Sequence, residues 1–360
     1  MTALEIKKFL VNDDRKKAKP EGRDIGFGKH FTDHMFTMDY DEGNGWHSPQ
    51  IVPYGPIALD PAAMILHYGQ AVFEGMKAYK SPEGKVLLFR PQENFKRLNI
   101  SDERMCIPHI DEEFALTALT ELLKVEADWV PTAPDTALYI RPFVFASQPA
   151  IGVHPAKSYK FLIILSPVGP YYSTGLAPVN ILVEDEYVRA VRGGIGAAKA
   201  AANYAASLKA QQKAMQKGYA QVLWLDGVER KYIDEVGAMN VFFLINDELI
   251  TPELNGSILP GITRDSIIKI ATSWGVKVTE RKLAIEEVFA AAENGDLKEA
   301  FGCGTAAVIA PIKSFLMGER SVQVADGNTG PFAQKLYDNL TGIQFGKVAD
   351  SFGWSYEVKL

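Results

Sequence analysis

Apolar and polar positions switch between strand-like and helix-like spacing along the first half of the chain. Short runs of apolar residues predict strands at 85–89, 137–146 and 159–167. Apolar residues three and four positions apart predict a helix within 111–130, and Pro91 stands at a favoured first position of another helix. This order of elements predicts a mixed α/β domain that ends with the third strand.

Strand patterns dominate the second half of the chain. Two helices are predicted after these strands: Thr263 is a candidate N-cap for one that runs to Trp274, and the other, within 284–295, ends in Gly295. Asp-Gly and Asn-Asp pairs supply turn signals between the predicted strands, which are VNILVED, AQVLWLD, KYIDEV, NVFFLIN and ELITP.

A stretch rich in Pro, Gly and Ser separates the two halves and predicts a linker. The expected organisation is an N-terminal extension at 1–23, a small α/β domain at 24–167, a linker at 168–178 and a large domain at 179–360. The lysine-rich extension lacks the apolar stretch of a signal peptide and contains acidic residues, unlike a transit peptide. We interpret it as mobile or docked on the surface.

The net charge of −6 over 360 residues narrows the class of partner. The chain has no basic block that would bind nucleic acid or an anionic membrane, so small molecules are the expected partners. Its longest apolar runs are too short to span a bilayer. Cys106 and Cys303 are far apart and form neither a metal-type spacing nor a disulfide framework, which predicts a reducing, cytoplasmic location.

Lys199 stands between a glycine-rich turn and an alanine-rich run in GGIGAAKAAANYAAS. A Walker A loop is excluded because Ala198 precedes the lysine, and a dinucleotide fingerprint is excluded because Lys199 occupies the position of its last small residue. Asn203 is a candidate N-cap of a helix that ends at Gly218. The positive end of that helix disfavours an ammonium, which makes Lys199 a candidate nucleophile; an ordinary solvated lysine is the alternative.

The stretch EVGAMNVFFLINDELITPELNGSILPGITR, residues 235–264, resembles the signature of the class IV (fold type IV) pyridoxal-phosphate aminotransferases. HYGQAVFEGMKAY, FRPQENFKRL, LYIRPFVFA, YVRAVRGG and FGCGTAAV resemble segments of branched-chain amino-acid aminotransferases, and the resemblance runs from about Asp24 to the end. It implies two α/β domains joined by a short interdomain loop, with the active site at the domain and dimer interface. It also implies a homodimer that binds pyridoxal 5′-phosphate in the large domain.

In such enzymes the cofactor carries the chemistry, and the protein supplies attachment, electronics and orientation. By resemblance, Lys199 is covalently bound to pyridoxal 5′-phosphate and moves the proton between substrate and cofactor. Glu235 pairs with the pyridine nitrogen, and Tyr204 hydrogen-bonds the phenolic oxygen. The implied phosphate contacts are the N–H groups of Ile262 and Thr263 at a helix N-terminus, Thr305 in a tight turn, and Arg97.

The implied substrate pocket accepts an aliphatic and an acidic side chain in alternate half-reactions. Arg141 resembles the arginine that binds the distal carboxylate of glutamate and 2-oxoglutarate, while N–H groups at Thr305 and Ala306 hold the α-carboxylate. Val153 and Tyr68 are implied to reach over from a neighbouring subunit. The other implied pocket residues, for which core packing is the alternative role, are Phe27, Phe73, Tyr139 and Tyr171.

The implied function is reversible, ping-pong transfer of the amino group of L-leucine, L-isoleucine or L-valine to 2-oxoglutarate. A D-amino-acid aminotransferase or an aminodeoxychorismate lyase shares the cofactor signature, but HYGQAVFEG and the segment around Arg141 argue against both. The non-enzymatic alternative is a cofactor-binding scaffold with a decayed site. The intact Lys199, Glu235 and Arg97 argue against that alternative.

Some positions depart from the family pattern. Ala200, Ala201 and Ala202 stand where the family commonly has glycines, and their methyl groups are expected to tighten the pocket. Ala238 stands where many relatives have Thr or Ser, so one hydrogen bond to the cofactor is expected to be missing. The Cys-x-x-Cys pair of some animal relatives is replaced by Ala307 and Ala310, so no such redox switch is expected.

No metal site is expected. His30 and His34 have a spacing that binds metal on a helix, but a third ligand is not near them in sequence. Cys303 lies in a glycine-rich turn without a histidine near it in sequence, so we expect a small, buried side chain rather than a thiol nucleophile.

Overall fold

The computed structural model describes residues 4–23, 25–170 and 175–360. They form two compact units. The first comprises the described part of Met1–Ser173 together with Ala198–Ala202 and Gly342–Leu360, and the second comprises the described part of Thr174–Ala197 together with Asn203–Thr341. In the described residues, no helix has the length and apolar character needed to cross a membrane.

The first unit is built on a sheet whose strands pair almost entirely antiparallel. Its described strands are β1 (Lys7–Lys8), β2 (His34–Asp41), β3 (Gly45–Pro53), β4 (Ala71–Phe73), β5 (Met76–Lys80), β6 (Val86–Phe89), β7 (Ala137–Ala146), β8 (Ser158–Val168) and β18 (Ser355–Val358). Their order in the sheet is β1-β3-β2-β8-β7-β5-β6-β18, with β4 paired to β7. Only the β1–β3 pair is parallel among the pairings described for this sheet.

Three helices belong to this unit in its described part: α1 (Met64–Tyr68), α2 (Pro91–Arg104) and α3 (Glu112–Val125). As predicted, Pro91 is the first residue of α2. The Asp111 side chain caps α3 by accepting the N–H of Phe114 at 2.8 Å. The apolar faces of α2 and α3 lie in the core of this unit, to which they contribute Phe95, Leu98, Ala115, Ala118, Leu119, Leu122 and Leu123.

The described part of the N-terminal extension is docked on this sheet. β1 pairs in register with β3, through Lys7 opposite Gln50. Farther along, the Val11 N–H donates to His34 Nε2 at 2.9 Å, and the Lys17 N–H donates to an Asp33 carboxylate oxygen at 2.8 Å. Of the two interpretations of the extension, docking therefore holds for these residues.

The second unit has a mixed sheet. Its described strands are β9 (Val179–Glu184), β10 (Gln221–Leu225), β11 (Ile233–Val236), β12 (Asn240–Ile245), β13 (Glu248–Thr251), β14 (Lys277–Glu280), β15 (Leu297–Gly304), β16 (Val308–Met317) and β17 (Arg320–Gln323). Their order in the sheet is β11-β10-β9-β16-β15-β12-β13-β14, and β17 pairs with β16. β9 is parallel to β10 and β16, and β13 is parallel to β14.

The remaining helices differ from the predictions mainly where they begin. Asn203 is the third residue of its helix rather than the N-cap, because the preceding alanines are strong helix formers; its Nδ2 donates to the Ile195 carbonyl at 2.8 Å. Thr263 is likewise a helical residue, since Gly261 is the N-cap. The helix ending before Gly295 is confirmed. The helices are α4 (Ala201–Gln216), α5 (Ile262–Ser273), α6 (Ile285–Glu293) and α7 (Pro331–Gln344).

The two units interleave along the chain, whereas the predicted domains are continuous segments. Residues 342–360, which the prediction places in the large domain, belong to the first unit because β18 pairs antiparallel with β6 along Ser355–Val358. Residues 198–202 also belong to the first unit. Local sequence patterns do not show which distant strands pair. They therefore could not predict which segments of the chain make up each unit.

Asp102 is a buried acid whose pKa affects how the folding stability of the protein depends on pH. Its carboxylate is fully buried on α2, neither oxygen has a hydrogen-bond partner among the described residues, and burial raises its pKa well above the usual range. The folded state therefore keeps a proton that the unfolded chain loses above about pH 4, and folding stability falls as pH rises towards the folded-state pKa.

We expect Asp102→Asn to stabilise the protein increasingly as pH rises, by up to about 1.4 kcal/mol per pH unit. The measurement is the melting temperature of mutant and wild type at pH 5 and pH 8. Glu103→Gln, at the exposed neighbouring position, is the control and should change the melting temperature little at either pH. A shift for Asp102→Asn that is the same at both pH values would contradict a raised pKa.

Candidate active site

Lys199 lies on the short middle segment of the first unit, where its main chain is fixed from two sides. Its carbonyl accepts the N–H of Phe73 at 3.1 Å, and its N–H donates to Ser101 Oγ at 2.9 Å. The next residue, Ala200, forms a bridge with Val72 of β4. Lys199 Nζ lies 5.0 Å from the centroid of the Phe73 ring. β4 and α2 thus fix the point from which the lysine side chain extends.

Arg97 is buried on α2 and pairs with a carboxylate of the same unit. Its Nε donates to Glu74 Oε1 at 2.7 Å, and its Nη2 donates to Oε2 at 2.9 Å, which fixes the plane of the guanidinium. Ser101 Oγ, which accepts from Lys199, donates to the Arg97 carbonyl at 3.0 Å. One helix therefore carries both Arg97 and a hydrogen-bond partner of Lys199.

Four of the predicted pocket residues form one group in the first unit. Arg141 Nη2 donates to the Tyr139 hydroxyl at 3.0 Å. The Arg141 guanidinium carbon lies 4.4 Å from the Phe73 ring centroid and 5.3 Å from that of Tyr139. Phe27 packs edge-on against Tyr139, with 4.9 Å between ring centroids. The group combines aromatic surface with one cation, as cation–π contacts allow.

Tyr68 and Val153 lie on adjacent exposed segments of the same unit. Tyr68 ends α1 and is 37% exposed, and Val153 is 88% exposed. The two segments are neighbours because the Ala150 N–H donates to the Ala62 carbonyl at 3.0 Å. Their exposure in a single chain leaves both side chains accessible to a second molecule. Tyr171, also predicted to line the pocket, lies outside the described residues.

Glu235 is buried on β11 of the second unit. Its Oε1 accepts the main-chain N–H of Leu259 at 2.9 Å, and its Oε2 lies 3.4 Å from Arg189 Nε in an ion pair. An Arg189 Nη2 hydrogen bond to the Ser257 carbonyl holds the arginine in place. The ion pair offsets the cost of burying the carboxylate, so Glu235 can remain negatively charged inside the protein.

The N-terminus of α5 lies beside these residues in the second unit. Gly261, its N-cap, provides no side-chain cap, and the first-turn N–H groups of such a helix, here those of Ile262 and Thr263, favour an anion. Asn240 Nδ2 donates to the Leu259 carbonyl at 2.9 Å and so supports the segment that leads into the helix. The N–H of Leu259 is the one that Glu235 accepts.

Thr305 and Ala306 are half-buried in the turn between β15 and β16. Cys303, two residues before Thr305, lies directly opposite Asn240 in the sheet. The asparagine that supports the start of α5 is therefore next to the strand that carries this turn. Within the second unit, the sheet register links the surroundings of Glu235, the start of α5 and the β15–β16 turn.

Two further predicted positions are found at element boundaries of the second unit. Tyr204 is half-buried in the first turn of α4, five residues after Lys199 in sequence. Ala238 lies in the turn between β11 and β12 and is exposed. The roles assigned to these residues, and the tightening of the pocket by Ala200–Ala202, stay predictions.

His34 is not on a helix but opens β2, and both of its ring nitrogens contact protein groups: Nε2 accepts from Val11, and Nδ1 contacts Glu126. In the described residues there is no group of three or more His, Cys, Asp or Glu side chains that could hold a metal ion. Cys303 is buried, and burial raises the pKa of its thiol. The small, buried role predicted for Cys303 is confirmed.

Sequence reasoning missed three side chains that support the predicted ones: Glu74 beside Arg97, Arg189 beside Glu235, and Ser101 beside Lys199. Glu74 and Arg189 lie in HYGQAVFEGMKAY and YVRAVRGG, two of the segments that carry the resemblance. The presence of these charged residues in segments that resemble the family was the signal that could have marked them as site residues. Their partners lie 23 and 46 positions away, so sequence spacing does not reveal the pairs.

A model of the family described as Amino-transferase class IV matches residues 71–315. The chain belongs to this family. Branched-chain-amino-acid aminotransferase 2 of Bacillus subtilis (strain 168) is 57% identical over 358 residues, which cover 99% of this chain and 98% of the relative. The match extends beyond the family model and includes the N-terminal segment and β18.

Solved structures of branched-chain aminotransferases have the same fold. The branched-chain amino acid aminotransferase of Escherichia coli is 29% identical, with a TM-score of 0.77, over 91% of this chain and 99% of that chain. The branched-chain aminotransferase of the thermophilic archaeon Thermoproteus uzoniensis, solved with norvaline, is 26% identical, with a TM-score of 0.73, over 90% and 100%. The predicted fold class, α/β of fold type IV, is confirmed.

Gly261→Ala tests the packing at the start of α5. A Cβ atom at this position would lie 2.0 Å from Asn240 Oδ1, so Asn240 must move and its support of Leu259 is disturbed. We expect a loss of about 1–3 kcal/mol of stability, together with weaker binding of pyridoxal 5′-phosphate. The measurements are the melting temperature and the cofactor dissociation constant.

Gly55→Ala is the matched control, because a Cβ atom there meets nothing within 4 Å. It should leave both measurements close to those of the wild type. If Gly261→Ala behaves like Gly55→Ala, the close approach to Asn240 does not constrain this segment.

Proposed function

We infer that this chain is a branched-chain amino-acid transaminase, which reversibly transfers the amino group of L-leucine, L-isoleucine or L-valine to 2-oxoglutarate. The observation that carries this conclusion is the 57% identity to a branched-chain-amino-acid aminotransferase over nearly the full length of both chains. The site geometry supports it, because the aromatic group around Arg141 offers both apolar surface and a cation. The products are branched 2-oxo acids and L-glutamate.

The residues of the chain fit pyridoxal 5′-phosphate. A buried carboxylate in an ion pair, Glu235, suits a protonated pyridine nitrogen, and an N-terminal helix turn without a side-chain cap suits a phosphate. The amine of Lys199 is the covalent attachment point, and Tyr204 donates to the phenolic oxygen. The remaining phosphate contacts are assigned to Arg97, Ile262, Thr263 and Thr305.

Bound pyridoxal phosphate supplies an electron-withdrawing ring that acidifies the Cα–H bond of the amino acid attached to it. Lys199 Nζ, once released from its covalent attachment, takes the proton from the substrate Cα as a general base. The hydrogen bonds of the Lys199 main chain to Phe73 and Ser101 fix the base while its side chain moves. Glu235 stays ionised beside Arg189 and keeps the positive charge on the ring nitrogen.

We assign the substrate side chain to the group formed by Phe27, Phe73, Tyr139 and Arg141. The rings contact an aliphatic side chain, and the Arg141 guanidinium binds the distal carboxylate of 2-oxoglutarate or glutamate. The N–H groups at Thr305 and Ala306 hold the α-carboxylate. Tyr171 is assigned to this pocket by resemblance alone.

The active form is a homodimer in this proposal. Tyr68 and Val153, together with Leu66 and Ile151, place exposed apolar side chains on two adjacent segments of the first unit, with exposures between 37% and 88%. Apolar patches of this kind mark contact surfaces. The partner subunit's copies of Tyr68 and Val153 would then complete the pocket. The proposed location of the enzyme is the cytoplasm. The proposal also assigns cofactor binding to the predicted large domain.

The absorption of the bound cofactor tests the function. With pyridoxal 5′-phosphate, the purified protein should show a visible band that falls on addition of L-leucine and returns with 2-oxoglutarate, because each half-reaction changes the form of the cofactor. Lys199→Ala should abolish the band of the attached cofactor, while Lys209→Ala, an exposed position on α4, should keep the whole cycle.

Other results identify the alternatives. A band that D-alanine discharges and L-leucine does not would indicate a D-amino-acid aminotransferase, and release of pyruvate with p-aminobenzoate from aminodeoxychorismate would indicate the lyase. A band that no amine discharges would indicate a cofactor-binding scaffold.

Arg141→Met tests the dual pocket. Loss of a charged hydrogen-bond donor should raise the KM for 2-oxoglutarate by about 10- to 100-fold, whereas kcat/KM for L-leucine in its own half-reaction should change little. Stopped-flow measurement of the two half-reactions separates these effects. Arg15→Met, at an exposed position of the N-terminal segment, is the control. An equal loss with both substrates would mean that Arg141 supports the pocket without recognising the acidic side chain.

A further inference from the structure

Glu74 is a fully buried carboxylate without an assigned function, and it accepts two charged hydrogen bonds from Arg97. Besides the two bonds from Arg97, its Oε2 accepts from Asn94 Nδ2 at 2.8 Å and from the Gly75 N–H at 3.1 Å. Burial raises the pKa of Glu74, but Arg97, Lys199 and Asn94 outweigh burial and bring it below the ordinary value. Glu74 is therefore ionised.

The geometry of the Glu74–Arg97 pair constrains the arginine more than a single contact would. Nε and Nη2 form one edge of the planar guanidinium, and both donate to the same carboxylate. The carboxylate is itself held by Asn94, which also donates to the Gly75 carbonyl at 3.3 Å. Rotation of the Arg97 side chain would break two charged hydrogen bonds at once.

Glu74 is also joined to the lysine through its own neighbour in sequence. The N–H of Phe73 donates to the Lys199 carbonyl, and the N–H of Glu74 donates to the Pro142 carbonyl of β7 at 2.7 Å. The consecutive residues Phe73 and Glu74 thus contact Lys199 with main-chain atoms and Arg97 with a carboxylate. A shift of either residue would disturb both Lys199 and Arg97.

We propose that Glu74 is a positioning residue that fixes the Arg97 guanidinium in the orientation required to bind the cofactor phosphate. This inference rests on the proposed function, because it takes Arg97 as a phosphate ligand. Glu74 touches the arginine and acts through it. An outer carboxylate that orients a ligand-binding group in this way commonly changes affinity about 10- to 100-fold when it is removed, as is known for metal ligands.

Charge and orientation predict opposite effects of removing Glu74. A carboxylate beside Arg97 repels a phosphate, so if its charge alone mattered, neutralisation would strengthen phosphate binding. If orientation matters more, neutralisation weakens phosphate binding because Arg97 is no longer held in place. The direction of the change therefore separates the two roles.

The experiment compares two ligands of the apoprotein, pyridoxal 5′-phosphate and pyridoxal, which lacks the phosphate. Dissociation constants are measured by quenching of tryptophan fluorescence for wild type, Glu74→Gln and Glu74→Asp. We expect both variants to lose about tenfold or more in affinity for pyridoxal 5′-phosphate and less than twofold for pyridoxal. Glu74→Asp keeps the charge and withdraws the carboxylate from Arg97, so its loss isolates orientation.

Glu299→Gln is the matched control. Glu299 is a buried carboxylate of the second unit that accepts the N–H groups of Phe332 and Ala333, both at 2.8 Å. Its neutralisation should not change the ratio of the two dissociation constants. This control measures what the loss of a buried carboxylate does in general.

The outcomes are distinct. Equal losses for both ligands, unchanged affinities, or tighter binding of pyridoxal 5′-phosphate in Glu74→Gln would overturn the positioning role. If Glu74→Gln does not fold, Glu74→Asp decides, because retained preference for the phosphorylated ligand would then contradict the proposal. A wild-type apoprotein that binds the two ligands equally would instead count against the proposed function.

Discussion

The main chain of Lys199 is held between the N–H of Phe73 and the hydroxyl of Ser101, a residue 98 positions earlier in the sequence. Each such hydrogen bond contributes only about 1 kcal/mol to net stability. The importance of these two hydrogen bonds is that they fix the position of the Lys199 main chain. Ser101 also binds the Arg97 carbonyl, and Phe73 precedes the carboxylate that pairs with Arg97, so the supports of the lysine and of the arginine belong to one connected set of residues.

The buried carboxylates are not all compensated in the same way. Arg97 pairs with Glu74, and Glu235 lies against Arg189, so each of these charges has an opposite charge within hydrogen-bond or ion-pair distance. Removing one member of such a pair typically costs about 3–5 kcal/mol, because the other is left buried and uncompensated. Asp102, on the same helix as Arg97, has no such partner among the described residues, and burial raises the pKa of its carboxyl well above the usual range. Glu74 and Glu235 are thus each compensated by an arginine, whereas Asp102 is not.

Local patterns predicted the elements of the fold well and their partners poorly. The strand 137–146 was predicted with its observed bounds, and Pro91 begins a helix as expected, because apolar runs and proline geometry act within a few residues. Asn203 and Thr263 were wrongly predicted as caps, since alanines extended one helix and a glycine took the N-cap of the other. The partners of Glu74 could not be predicted from local patterns, because Asn94 and Arg97 lie on α2, 20 and 23 positions away.

In the proposed function, the group around Arg141 would accept both an apolar and an acidic side chain. A bare guanidinium in a pocket would repel a leucine side chain, because the cation would lose hydration without gaining a partner. Here the guanidinium lies close to the Phe73 and Tyr139 rings and donates to the Tyr139 hydroxyl, so the aromatic faces and the hydroxyl replace part of its hydration. A cation supported in this way can stay in place beside an aliphatic side chain and still pair with a carboxylate. The aromatic residues would then serve recognition of the acidic substrate as much as that of the branched one.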